Sequence, residues 1–326
     1  MGFLWGGRAG KIWIAAVLGI SLTSASLGDG LGQQQAPDSD RPFTLPVYVD
    51  EVNVSFSATD EDGRWIDDLE LADLRVKDNH RAPERIVSFR KMTGLPVQAG
   101  VLVDSSRSML GDLRRNRRIV SQLAEQMLRL TSDRAFVAEF DFEYRMKQPW
   151  TSDKAQLNAR MSVVGRDWAS RLGGTAIFDS VYRACRDQFG GTEADKAGNF
   201  ILLFSDGLDN ASHARMMDVI DRCQRSHTAI YVFSDERKPS RNSGERVLRE
   251  LADKSGGRVF YDQDAETQLR DLKQIEGEVR NQYRVIYKPA GLKPDGSFHS
   301  IRIDCPERTA QVHAREGYYA PEKASR

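Results

Sequence analysis

Five oxygen-bearing side chains could act together on one ion: Asp104, Ser106, Ser108, Thr175 and Asp206. They lie in three short segments, Asp104-Ser105-Ser106-Arg107-Ser108, Gly173-Gly174-Thr175 and Ser205-Asp206-Gly207. Carboxylates and hydroxyls are hard donors, which suit Mg²⁺ or Mn²⁺ and are poor for soft metals. Two carboxylates leave a doubly charged ion under-neutralised when neutral hydroxyls and water fill the other positions. Such a site keeps affinity for an incoming carboxylate. It lacks a positioned base, so hydrolysis is not its obvious product.

Each segment must be held at the right place by regular structure. Val101-Leu102-Val103 is a continuous apolar run, as expected of a strand covered on both faces, and it leads directly into Asp104. A helix follows, with Leu113, Val120, Leu123, Met127 and Leu130 on one face. Ala135–Phe140 and Tyr144–Gln148 read as strands, and an amphipathic helix covers about Ala176 to Gln188. Phe200–Phe204 is a second apolar strand leading into Asp206, followed by helix Ala214–Arg225, strand Ala229–Phe233, helix Glu245–Lys254 and strand Gly257–Tyr261. Alternating strands and helices imply a doubly wound, mostly parallel sheet with helices on both faces. Ligands in such sheets sit beyond the carboxyl ends of the strands, where the strand order reverses. If the first and fourth strands of this set are neighbours, the three segments converge on one crevice.

Period-two patterning flanks this α/β region on both sides. Val52, Val54, Phe56 and Ala58 alternate with polar residues, and Leu74–Lys77 and Ile86–Phe89 are short candidate strands. After a polar helix near Gln268–Glu278, the candidates are Tyr283–Tyr287, Phe298–Ile303 and Gln311–Ala314. Few strands with one apolar face are marginal alone, so the two flanks are expected to meet in one small antiparallel β domain. The expected boundaries are 46–92 for the first β flank, 93–265 for the α/β domain, 266–321 for the helix and second flank, and 322–326 for a tail.

The N-terminus has the order of a secretory signal: Arg8 and Lys11, an apolar run from Ile12 to Leu22, then small residues Thr23 to Ser26. Residues 1–25 are read as the signal peptide and 26–45 as a linker rich in Gly, Gln and Pro. The apolar run is about half the length of a permanent membrane anchor. The protein is therefore expected to be exported (periplasmic, secreted or on the cell surface), with no membrane span after cleavage. The chain of 326 residues carries 47 Lys plus Arg against 47 Asp plus Glu, a balance that gives no reason to expect nucleic acid as partner. The run Arg114, Arg115, Arg117, Arg118 reads as a solvated helix face. Of three cysteines, Cys185 and Cys223 fall on helices expected to pack side by side and are the candidate pair; three ordinary buried thiols is the alternative.

Asp104-x-Ser106-x-Ser108, Thr175 after Gly173-Gly174, and the later Ser205-Asp206-Gly207 resemble the metal-ion-dependent adhesion site of von Willebrand factor A domains. The resemblance spans roughly Leu95 to Tyr261. It implies that Ser106 and Ser108 contact the metal directly, Thr175 in a conformation-dependent way, and Asp104 and Asp206 largely through water. The open coordination position would take an Asp or Glu of a protein partner. The flanks, with Val52-Asn53-Val54, Asp62-Gly63-Arg64, Leu74 to Asn79 and Glu316 to Pro321, are similar to exported bacterial members, notably an acidobacterial group. One departure stands inside the loop: many members have Gly where this chain has Arg107. An Arg would be strained there if the position needs positive φ; otherwise it adds positive charge beside the site.

Singly, these residues have bland readings. Asp104, Ser108 and Thr175 could each cap a helix, and the glycines could serve turns alone. Two rival functions also stand. One is a structural or scaffold protein with a vestigial metal site. The other is a serine-dependent hydrolase with Ser106 as nucleophile and His213 as base. No Gly-x-Ser-x-Gly elbow, zinc-type histidine spacing or phosphate-cradling loop is present, so the expected protein is not an enzyme.

Overall fold

The structure is a computed structural model describing residues 51–165, 174–191, 196–234, 236, 238–261, 264–308 and 310–322. The signal peptide and linker expected over 1–45, Gly173 and most of the tail lie outside the described residues.

The first flank contributes β1 (Val52–Thr59), β2 (Arg75–Asp78) and β3 (Arg85–Thr93). The α/β region runs β4 (Val97–Asp104), α1 (Leu113–Met127), β5 (Arg134–Phe140), β6 (Tyr144–Thr151), α2 (Lys154–Met161), α3 (Ile177–Asp187) and β7 (Gly198–Phe204). It continues with α4 (Met216–Arg225), β8 (Thr228–Phe233), α5 (Ser243–Ser255), β9 (Val259–Phe260) and α6 (Ala265–Arg280). The second flank supplies β10 (Asn281–Lys288), β11 (Phe298–Asp304), β12 (Gln311–Ala314) and β13 (Gly317–Tyr319).

The central sheet has the order β6-β5-β4-β7-β8-β9. All its pairings are parallel except that of β6, which joins β5 antiparallel. β4 therefore lies between β5 and β7, so the chain winds outward first on one side and then on the other. That arrangement opens a crevice beyond the carboxyl ends of β4 and β7. Both faces of β4 are covered, which is why its apolar residues form a run instead of alternating. Val97, Ala99, Val101 and Val103 pack with Ile119, Val120 and Leu123 of α1 and with Leu272, Ile275 and Val279 of α6. On the opposite face, Leu102 packs with Val181 and Ala184 of α3, Ile220 of α4 and Leu251 of α5.

The flanks interleave. β1 pairs with β10 and β12, β3 pairs with β10, and β2 pairs with β11, all antiparallel. Two sheets result, ordered β12-β1-β10-β3 and β13-β11-β2, and each mixes strands from both ends of the chain. They share a core in which Val54 and Phe56 meet Tyr283, Val285, Tyr287 and Ile303. The α/β region is thus inserted into a β domain built from both flanks.

The structure corrects two sequence readings here. Leu130 lies beyond the end of α1 and is 47% exposed, so it is no part of that helix's apolar face. The arginines of α1 are not a merely solvated face. Arg115 is buried and donates to Phe233 O, Arg117 donates to Met161 O and Val164 O, and Arg118 donates to Gln268 Oε1. Their apolar stems cross the helix surface, and their guanidinium groups reach oxygens on neighbouring elements. Cys185 of α3 and Cys223 of α4 form a disulfide, with Cα atoms 5.1 Å apart, and Cys305 is free and buried.

Candidate metal centre

Asp104 ends β4 fully buried, and both of its carboxylate oxygens are engaged. Oδ1 accepts from the Ser106 backbone N–H at 2.8 Å, and Oδ2 accepts from the Ser205 hydroxyl at 2.8 Å. The first bond folds the loop back over the strand end; the second ties it to the end of β7. Burial raises the Asp104 carboxyl from 3.8 to about 6; the bonds from Ser106 and Ser205 pull it down, and the charge of Asp206 pushes it up again. A desolvated carboxylate beside a second one makes this a place where a cation is electrostatically welcome.

The loop that follows is a 3₁₀ turn, Arg107–Gly111, and α1 begins only at Leu113. Asp104 and Ser108 therefore do not cap α1, whose N-cap is Asp112. Instead the hydroxyls of Ser106 and Ser108 face each other at 3.1 Å. Neighbouring ligands of an octahedral ion with bonds of 2.0–2.1 Å lie about 3 Å apart, so the pair has the spacing of two adjacent coordination positions. Ser106 is buried, while Arg107 and Ser108 are exposed. Arg107 is not among the described residues with positive φ, so it sits in this loop without backbone strain.

Asp206 follows β7 and is half-buried; its Oδ1 accepts from the Leu208 N–H at 3.0 Å. Its loop depends on a close backbone approach. Gly207 has φ +78, and a Cβ there would lie 2.2 Å from Gly244 O in the first turn of α5. Sequence reasoning does not single out Ser205 as a contributor. A signal for it exists, since it precedes Asp206 at the end of an apolar strand, but its bond to Asp104 depends on β4 and β7 being neighbours.

Thr175 is buried and does not cap α3, whose N-cap is Ala176. Its backbone N–H donates to Asn210 Oδ1 at 2.8 Å, and its carbonyl accepts from Asn210 N at 3.0 Å and Ala211 N at 3.1 Å. The next residue, Ala176, donates to Asp141 O at 2.7 Å, beside Phe140, whose carbonyl receives both Ser105 N–H and Ser105 Oγ. Thr175 is thus fastened to the Asp206 loop and to the end of β5, while Asp104, Ser106 and Ser108 are linked directly to one another and to Ser205. Asn210 is a second contributor that the sequence does not mark, because its role is to bridge two loops distant in sequence.

A buried ion cluster braces the β5 side. Asp141 accepts two bonds from Arg145 at 3.0 and 2.7 Å, and Glu139 pairs with Arg145 and with Lys147. Arg145 also reaches Ser105 Oγ at 3.5 Å. On the opposite rim, His213 Nδ1 lies 3.1 Å from Asp179 Oδ2.

The residues present fit a hard divalent cation. Ser106 and Ser108 would hold it directly, and Asp104, its oxygens already engaged, would act by orienting the loop and supplying charge. Among the described residues, no three of His, Cys, Asp and Glu cluster as a metal site, and this arrangement is of another kind, two carboxylates among hydroxyls. Also among them, no helix is long and apolar enough to cross a membrane.

A sequence model of the von Willebrand factor type A domain matches residues 100–275. No curated protein matches the chain. Among solved structures, BatB from Bacteroides thetaiotaomicron is 18% identical with a TM-score of 0.45, covering 55% of this chain and 97% of its own. A von Willebrand factor type A protein from Catenulispora acidiphila is 13% identical with a TM-score of 0.43, covering 77% and 74%. Proximal thread matrix protein 1 from the mussel byssus, with a zinc-occupied MIDAS motif, is 13% identical with a TM-score of 0.43, covering 57% and 48%.

Proposed function

Because the chain belongs to the von Willebrand factor type A domain family, we propose that it is a divalent-cation-dependent protein-binding module of an exported bacterial protein. Asp104, Ser106, Ser108, Thr175 and Asp206 form its Mg²⁺ or Mn²⁺ site, and the bound cation takes an Asp or Glu carboxylate of the partner. The cation supplies the net positive charge that the carboxylate meets. The chain's own residues supply its seat: Ser106 and Ser108 bind, Asp104 orients Ser106, and Ser205 holds Asp104 in place.

The observation that most supports this reading is the buried Asp104, bonded to Ser205 Oγ and to the N–H of Ser106, whose hydroxyl stands 3.1 Å from that of Ser108. A carboxylate is costly to bury without compensation. Two hydrogen bonds offset part of that cost, and a cation seated above it would offset more. A binding role is favoured over a serine-dependent hydrolase because the partner of the Ser106 hydroxyl is Ser108, while the His213 ring lies against Asp179. The charged, apolar and small-residue order of residues 8–26 and the Cys185–Cys223 disulfide, a bond favoured outside the cytoplasm, support the exported setting.

Calorimetry with Mg²⁺ and Mn²⁺ tests the site. The wild-type chain should bind one ion, and Asp104→Ala and Asp206→Ala should not. Absence of binding in the wild type would favour a scaffold protein with a vestigial site. Capture of the partner should be lost in EDTA and restored by either cation; capture that persists in chelator would sink the proposal.

A further inference from the structure

We propose that the partner presents its carboxylate beside a bulky apolar side chain, which Phe142 and Leu208 receive at the rim of the site. The inference rests on the cation-dependent reading above and adds the partner's second recognition element.

Both residues belong to the end of the sheet where the candidate ligands lie. In the register of the central sheet, Phe140 stands opposite Asp104 and Phe204 opposite Val103. Phe142 is two residues beyond the first, in the β5–β6 turn, and Leu208 four beyond the second. Hydrogen bonds join both loops to the Thr175 segment: Ala176 N–H donates to Asp141 O, and Asn210 N–H donates to Thr175 O. The two side chains therefore stand on loops that are both tied to the Thr175 segment at the carboxyl end of the sheet.

Phe142 is 41% and Leu208 51% exposed. A single exposed apolar residue needs no explanation, but two large ones on the loops that frame a polar site are a different matter. Neither belongs to the apolar cores, so the fold gains little from them. Arg107, exposed beside Ser108, adds a guanidinium that favours an acidic partner. Charge at the centre and apolar surface at the rim together select a carboxylate flanked by a bulky apolar residue, where either feature alone would select weakly.

The test uses the full mature chain and three labelled, blocked hexapeptides: Gly-Gly-Leu-Glu-Gly-Gly, the same with Gly in place of Leu, and the same with Gln in place of Glu. In Mg²⁺, fluorescence polarisation should show the Leu-Glu peptide binding about tenfold more tightly than the Gly-Glu peptide, the size expected for burying one side chain of this kind. In Phe142→Ser/Leu208→Ser the advantage should vanish, the two peptides binding alike. Equal binding of Leu-Glu and Gly-Glu by the wild type, both chelator-sensitive, would overturn the rim inference and leave the cation reading standing. Failure of every Glu peptide to bind in Mg²⁺ would overturn both. Leu-Gln binding as well as Leu-Glu would overturn the carboxylate half. Dimerisation of the chain in Mg²⁺ that the rim variant abolishes would replace the separate partner with a second copy.

Discussion

The Ser205 hydroxyl donates to Asp104 Oδ2 across 2.8 Å, joining the ends of two neighbouring parallel strands 101 positions apart in sequence. Both residues are fully buried. Ser205→Ala leaves that carboxylate oxygen without its donor in a desolvated place. The expected loss of stability is about 1–3 kcal/mol, read from the urea midpoint at constant slope. Groups that orient a ligand loop also matter for the ion itself, so Mg²⁺ affinity should fall by about tenfold or more. A variant that loses stability while binding Mg²⁺ like the wild type would show that the bond serves the fold alone.

The disulfide between α3 and α4 closes a loop of 38 residues. On the chain-entropy account, a crosslink of that span contributes about 4 kcal/mol by restricting the unfolded chain. Dithiothreitol should therefore lower the urea midpoint of the wild-type protein and leave Cys185→Ser/Cys223→Ser unchanged. Equal midpoints for the oxidised and reduced wild type would remove the disulfide from the account of stability.

Asp253 sits in the last turn of α5, where the helix dipole already disfavours negative charge. Burial, followed by the nearby charge of Glu316, raises its carboxyl from 3.8 to about 6, against the opposing pull of Arg249 and Arg258. The folded state therefore holds this proton more tightly than the unfolded chain. The stabilisation is complete below about pH 4 and is lost as pH rises through about 6. At pH 7 the charged side chain is a liability, so Asp253→Asn should stabilise the protein there by about 1 kcal/mol once solvent screening is allowed for. At pH 4 the substitution should make little difference. A gain of the same size at both pH values would exclude the charge as its cause.

Much of the architecture is legible from periodicity, because the inner strands β4 and β7 of the central sheet are covered on both faces and so carry continuous apolar runs. Phe200–Phe204 and Val101–Val103 stand out for that reason, and with them the position of Asp104 and Asp206 at strand ends. Where burial is only partial, the pattern weakens. α2 leaves little trace in the sequence because it is eight residues long and buries only Leu157 and Met161. The arginines of α1 mislead because charge in a sequence does not reveal which oxygens lie across from it. The ties that assemble the candidate site, Ser205 to Asp104 and Asn210 to Thr175, join segments 101 and 35 positions apart, and only the strand order brings them together.

Gly207 offers the sharpest separation of backbone strain from packing. Its φ is +78, a conformation that costs an L side chain about 1–2 kcal/mol. Gly63, in an exposed turn, has nearly the same φ, +76, but nothing within 4 Å of where a Cβ would stand. At Gly207 the added Cβ would lie 2.2 Å from Gly244 O and 2.5 Å from Gly244 C, both backbone atoms that cannot rotate away. Gly63→Ala should therefore cost about 1 kcal/mol and leave Mg²⁺ binding intact. Gly207→Ala must also push the Asp206 loop off α5, so its stability loss should be at least twice as large and its Mg²⁺ affinity should drop by about tenfold or more. Urea denaturation and calorimetry on the two variants read these effects separately. Matching stability losses with unaltered Mg²⁺ binding in both would mean that the contact between Gly207 and Gly244 does not position Asp206.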